Sequence, residues 1–116
     1  MKRLDNPNVV CFDVDGTLIK PFCDCTPEEQ AGLPSILIET PWGKDQFVLL
    51  EHIIARVRRQ HMQGHYTIVW SQGGHEWAEQ VVKALKLEEC VDQIMTKPKW
   101  YMDDLPADEW MTRTIP

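Results

Sequence analysis

The chain has 116 residues, 43% of them apolar, which is room for one domain with a single modest core and excludes a two-domain enzyme. With 12 Lys plus Arg against 18 Asp plus Glu its formal charge is −6, a balance that disfavours unassisted binding to nucleic acid. The longest apolar runs, Val9 to Phe12 and Phe47 to Leu50, are 4 residues long, far short of the roughly 20 of a membrane-spanning helix. Asp5, Asn6, Pro7 and Asn8 stand where a signal peptide would be apolar, so the expectation is a soluble, cytoplasmic chain with no membrane partner.

In chain order, Val9 to Phe12 followed by Asp13, Val14 and Asp15 reads as a short, fully buried strand that ends abruptly in carboxylates. Gly16 and Thr17 close it. From Lys20 to Gly43 periodicity is lost and Pro21, Pro27, Pro34 and Pro41 accumulate, which predicts a loop or flap with one extended piece, Ser35 to Glu39. Asp45 to Gln63 carries the stripe Leu50, Ile53, Ile54 and Val57 of an amphipathic helix, with Asp45 as N-cap and Gly64 as stop. Arg56, Arg58 and Arg59 fall on that helix and read as a solvated face.

Tyr66 to Trp70 predicts a second buried strand, ending in Ser71, Gln72, Gly73 and Gly74, before a helix from His75 to Leu87. Val91 to Met95 and Lys99 to Met102 are two further strand candidates, the latter ending in Asp103 and Asp104. The three residues between them are too few for a helical crossover, so one of the two must be irregular or very short. A last edge strand is expected over Met111 to Ile115. The four cysteines, Cys11, Cys23, Cys25 and Cys90, are too sparse for a disulfide scaffold. Cys23 and Cys25 lack a second pair for zinc, which leaves free thiols in a reduced compartment. Of the tryptophans, Trp70, Trp77, Trp100 and Trp110 are expected mostly in the core, whereas Trp42 in the flap is the one candidate for stacking on a base.

Strand, helix, strand, helix, strand implies an α/β fold: a Rossmann-like three-layer arrangement around a central, mostly parallel sheet, with residues 1–116 as a single domain. Ligands of such sheets bind at the carboxyl ends of the strands. Asp13, Asp15, Ser71, Asp103 and Asp104 should therefore converge on one edge, with Lys97 close by. Four carboxylates there would repel one another unless a hard cation neutralised them, and an oxygen-rich site suits Mg²⁺. A cation, a lysine, a hydroxyl and backbone amides suit a phosphoryl group, and a free carboxylate beside them can attack phosphorus.

Asp13-Val14-Asp15-Gly16-Thr17-Leu18 after an apolar strand, Ser71 after a second, Lys97, and Asp103-Asp104 together are similar to the four motifs of the haloacid dehalogenase-like superfamily of phosphohydrolases. They span about four-fifths of the chain. The resemblance implies that Asp13 is the nucleophile forming an aspartyl-phosphate and that Asp15 protonates the leaving oxygen and then activates water. Thr17 would support the nucleophile loop. Ser71, Gln72 and Gly73 would hold the phosphate, Lys97 would offset charge, and Asp103 and Asp104 would hold Mg²⁺ with Asp13 and the Asp15 carbonyl. Lys99 is a rival for the lysine, with Lys97 favoured, because only Pro98 to Met102 separate Lys97 from the acidic pair where the family usually places a helix. The family's cap domain is absent, replaced by the flap over residues 20–43.

The implied function is a Mg²⁺-dependent phosphomonoester hydrolase acting on a small phosphorylated metabolite or nucleotide. A polynucleotide or protein phosphatase with an open site, and a non-hydrolytic phosphate-binding regulatory module, are the alternatives. Receiver domains gather similar residues but in another chain order. An uncapped domain with exposed aromatic residues is also compatible with a homo-oligomer.

Overall fold

The first strand, β1, is Val9–Asp13, but it is not the fully buried strand expected: Val9 is 60% exposed and burial deepens only toward Phe12. The computed structural model describes residues 8–113. After β1 come β2 (Ile19–Pro21), α1 (Pro27–Gly32), β3 (Ser35–Thr40), β4 (Gly43–Leu49), α2 (Glu51–Met62), β5 (Tyr66–Ser71), α3 (His75–Ala84) and β6 (Gln93–Thr96). Strands β1, β5 and β6 form a parallel sheet in the order β1-β5-β6, which makes β1 a margin strand, hydrogen-bonded among the described residues to β5 alone, and explains its exposed start. Both α2 and α3 pack against β5, and α3 also reaches β6. The α/β class with a parallel sheet thus stands as read from the sequence.

The region expected as a loop is mostly ordered. Residues 20–43 contain the end of β2, a 3₁₀ turn at Phe22–Asp24, α1 and β3, and β3 continues through a tight turn into β4. Strands β2, β4 and β3 make a second, antiparallel sheet, with Ile36 opposite Phe47 and Ile19 opposite Leu49. Helix α1 has a full capping box, in which the Thr26 hydroxyl accepts the Glu29 N–H at 3.2 Å and Glu29 returns the favour to the Thr26 N–H at 2.9 Å. Lys20 ties it to β2 through a 3.1 Å ion pair with Glu29. Phe47, Val48 and Ile38 of this second sheet are buried, and Ile38 and Phe47 join the same apolar cluster as Val14, Leu18, Val57, Val69, Val81 and Leu87. One core therefore underlies both sheets.

The second correction follows from that pairing. Asp45 does not cap a helix but sits in β4, where its carboxylate accepts the Gln46 N–H, because residues 43–49 are committed to the ladder with β3 and β2. Helix α2 begins only at Glu51, and its buried face is Ile54, Val57 and Gln60. Its end is as expected: Gly64 has φ +85°, the His65 N–H donates to Gln60 O and the Gly64 N–H to His61 O, the paired bonds of a Schellman stop.

Helix α3 ends three residues earlier than expected, by the same device. Leu87 N–H donates to Val82 O and Lys86 N–H to Lys83 O, which leaves Lys86 in the left-handed region at φ +57°. Lysine lacks the conformational freedom of glycine there. Lys86→Gly is therefore expected to stabilise the chain by about 0.5–1 kcal/mol. A rise in the urea midpoint with unchanged slope is the measurement, and a lower midpoint would refute the account.

Strand β6 runs from Gln93 to Thr96 instead of Val91 to Met95, because residues 90–92 are engaged by the buried Thr67: its hydroxyl donates to Cys90 O and its N–H to the Asp92 carboxylate at 2.8 Å. Residues Lys99 to Met102 form no strand. Beyond them Ala107–Glu109 is a 3₁₀ turn, the Ala107 N–H donates to the Tyr101 hydroxyl, and Tyr101 packs edge-on to Trp110 at 6.3 Å. No strand covers Met111 to Arg113, and the remainder of the expected edge strand lies outside the described residues. Three tryptophans expected mostly in the core or flap are open to solvent, Trp42 at 92%, Trp100 at 88% and Trp110 at 52%, while Trp70 and Trp77 are half-buried. Among the described residues no helix is long and apolar enough to cross a membrane.

Candidate active site

Parallel pairing puts the carboxyl ends of all three strands at one edge. Asp13 lies opposite Trp70, one residue before Ser71, and Ser71 lies opposite Thr96, one residue before Lys97. The ladder extends one step further, since the Lys97 N–H donates to Ser71 O at 2.9 Å. Asp13 and Lys97 are half-buried and Ser71 is fully buried, whereas Lys99 is exposed, so Lys97 is the lysine joined to the sheet edge.

After Asp13 the chain reverses sharply. Val14 O accepts the N–H groups of Thr17 at 3.2 Å, Leu18 at 2.9 Å and Ile19 at 3.3 Å, while the Gly16 N–H donates to Ile19 O at 2.8 Å. Gly16 has φ +83°, which suits a residue without a β-carbon. Val14, Leu18 and Ile19 are buried beneath the turn, and Asp15 and Thr17 are left on its outer side, exposed and half-buried respectively. The Asp15 carboxylate accepts the Trp77 indole N–H at 3.3 Å.

The loop after β5 is built around Ser71. Its hydroxyl accepts the Gly73 N–H at 3.0 Å, and its carbonyl accepts that of Gly74 at 3.1 Å. A hydroxyl that accepts still has its own proton to donate. Gln72 and Gly73 are exposed on this loop, and Gly74, at φ +106°, leads into α3. The first amide of α3, that of His75, donates to the Thr96 hydroxyl at 3.0 Å, so the end of β6 caps the helix from across the sheet. His75 itself is exposed and faces Glu79 at 3.9 Å.

Asp103 and Asp104 form no cluster of three ligating side chains with Asp13 and Asp15 among the described residues. They lie in exposed chain, where Asp103 accepts the Leu105 N–H at 3.0 Å. That bond first, and then one with Asp104, holds the Asp103 carboxyl below the usual carboxylate range. The expected fourth strand is absent among the described residues: β6 ends at Thr96, and nothing in the sheet guides residues 98–104 back along the edge. Among the described residues no three His, Cys, Asp or Glu side chains stand close enough to share a metal ion. The four-carboxylate centre is therefore not assembled in this arrangement. Mg²⁺ commonly needs only one or two carboxylates, with water and substrate phosphate completing its shell. Asp13 and Asp15 are the hard oxygen donors present for that smaller set.

All four cysteines are free thiols, and burial pushes the Cys11 thiol up, away from a reactive thiolate. Cys23 and Cys25 sit around the 3₁₀ turn of the second sheet, where the Cys25 thiol donates to Pro21 O. Thr96 and Trp77 were not read as site residues from the sequence. Trp77 stands three residues after the Gly73-Gly74 pair that opens α3, which was the available signal. No family model matches the chain, and neither a curated protein nor a solved structure matches it.

Proposed function

We propose that the chain is a Mg²⁺-dependent phosphomonoester hydrolase of haloacid dehalogenase-like type, with a Rossmann-like three-layer domain. The observation that carries the reading is the adjacency of Asp13, Ser71 and Lys97 at the ends of three hydrogen-bonded parallel strands. A carboxylate, a buried hydroxyl and a cation in that order across one sheet edge are a nucleophile and two groups that stabilise phosphoryl oxygens.

In the first step an Asp13 oxygen bonds to phosphorus while the bond to the leaving oxygen breaks. The electron pair goes to that oxygen, which takes the proton carried by Asp15. Asp15, now a carboxylate, then takes a proton from water as the water oxygen attacks the aspartyl-phosphate. Inorganic phosphate leaves, and Asp13 is restored as a carboxylate with Asp15 again protonated. Ser71 donates to a phosphoryl oxygen and Lys97 offsets its charge, with Gln72 on the exposed loop beside the same group and the Gly73 N–H holding the Ser71 hydroxyl in place. Asp13 through its carboxylate and Asp15 through its main-chain carbonyl would hold Mg²⁺, which, when bound, lessens repulsion between the nucleophile and the phosphate. Asp103 and Asp104 enter no step.

The charge of −6 favours a small phosphorylated metabolite or nucleotide over a polynucleotide, which an open edge would also admit. The free thiols suit a cytoplasmic setting. A screen of mononucleotides, sugar phosphates and 3′-phosphorylated oligonucleotides is the test, and activity confined to oligonucleotides refutes the small substrate. A stable phosphorylated form without turnover would favour a regulatory module instead. Removal of the cation by chelator is expected to lower turnover by at least roughly 10²-fold, restored by added Mg²⁺. Full turnover in chelator would sink the cation requirement.

A further inference from the structure

We infer that the Trp77 indole is a positioning residue for Asp15, holding one carboxyl oxygen so that the other carries the proton given to the leaving group. The inference rests on the hydrolase reading proposed above. Asp15 is exposed at the tip of a turn, where a carboxyl would otherwise sample several rotamers. Its Oδ1 accepts the Trp77 Nε1–H at 3.3 Å across 62 residues of chain. An indole N–H is a donor only, so it fixes Oδ1 without competing for the acid's proton, which is left to Oδ2.

Trp77 is itself held from two sides. Its ring packs on Phe47 of β4, with centroids 5.6 Å apart and planes at 49°. On the other side lies Gly73: a β-carbon there would come within 3.1 Å of Trp77 Cδ1 and 3.3 Å of the Ser71 hydroxyl. The bare backbone of Gly73 thus lets the indole lie against the Ser71 loop. One turn further along α3, Gln80 donates to Glu39 O at the end of β3. The first turns of α3 consequently join the antiparallel sheet, the acid and the phosphate-binding loop through Trp77 and Gln80. A misplaced acid costs most where the leaving group depends on its proton.

The test compares the unaltered chain with Trp77→Phe, which keeps a ring against Phe47 but has no donor, on two monoesters. One is an activated aryl phosphate whose leaving group departs unaided, and the other is an alkyl phosphate whose alkoxide must be protonated. On the alkyl ester kcat/KM, which reports the steps up to departure of the leaving group and not the later attack of water, is expected to fall roughly tenfold or more, against less than about threefold on the aryl ester. An equal loss on both esters, or none on either, overturns the positioning role. The contact is read independently of activity through the indole N–H resonance of Trp77, identified among the 5 tryptophans by its loss in Trp77→Phe. In Asp15→Ala that resonance should move and exchange faster with solvent; if it does neither, the contact is refuted whatever the activity. Hydrolysis of neither ester by the unaltered chain overturns the hydrolase reading, and with it the catalytic role given to Trp77, while the resonance still decides the contact.

Discussion

Asp13→Asn is expected to reduce hydrolysis of a generic aryl phosphate by at least roughly 10⁴-fold, because loss of a covalent nucleophile removes the route through the aspartyl-phosphate altogether. The variant should keep its thermal midpoint. Asp13 is half-buried at the end of a margin strand, and its main chain, which pairs opposite Trp70, is untouched by the substitution. Acid quenching during turnover should trap phosphate on the unaltered chain and none on Asp13→Asn. Turnover by the variant at the unaltered rate would remove the nucleophile assignment. A uniform loss accompanied by a lower midpoint would show a folding defect, which the same melting curve distinguishes.

The parts of this site that were legible in the sequence are those encoded locally. The β1 and β5 runs are short, apolar and ended by polar or glycine residues, and the parallel pairing that follows from strand-helix-strand order then brings Asp13, Ser71 and Lys97 together. What was not legible depends on partners far along the chain. Residues 43–49 carry no helix or strand period strong enough to decide between the two, and the Leu50, Ile53, Ile54 and Val57 stripe drew them into the helix. Pairing of Ile36 with Phe47 and of Ile19 with Leu49 decides otherwise.

The acidic pair lies outside the strands for the converse reason. Trp100, Tyr101 and Met102 have the composition of a strand, but β propensity has effect only where a neighbouring strand accepts the ladder. The Lys97 N–H, which donates to Ser71 O, is the last rung beside β5, so these residues stay exposed and Asp103 satisfies itself with the Leu105 N–H. Trp77 was legible as a packing residue and not as a partner of Asp15, because its contact closes over a turn whose reversal local periodicity does not encode.

Leu18→Ala should separate stability from chemistry within the same motif. Leu18 directly follows the motif's threonine, yet its side chain is fully buried in the core that both sheets share. Its N–H donates to Val14 O and its carbonyl accepts the Leu50 N–H at 3.0 Å, so the residue links the Asp13–Thr17 turn to the start of α2. Truncation leaves a cavity beneath that turn and is expected to cost about 2–5 kcal/mol, a large share of the roughly 5–15 kcal/mol of a typical domain. In urea unfolding this would appear as a much lower midpoint, whereas the exposed Leu37→Ala should shift it by less than about 0.5 kcal/mol. The turn itself is closed by backbone bonds, among them Gly16 N–H to Ile19 O, that the substitution does not remove. Well below its midpoint Leu18→Ala should therefore keep kcat on the aryl ester within about tenfold of the unaltered chain, the opposite pattern to Asp13→Asn. A loss of stability below about 1 kcal/mol would mean that the core collapses onto the smaller side chain and that Leu18 does not anchor the turn.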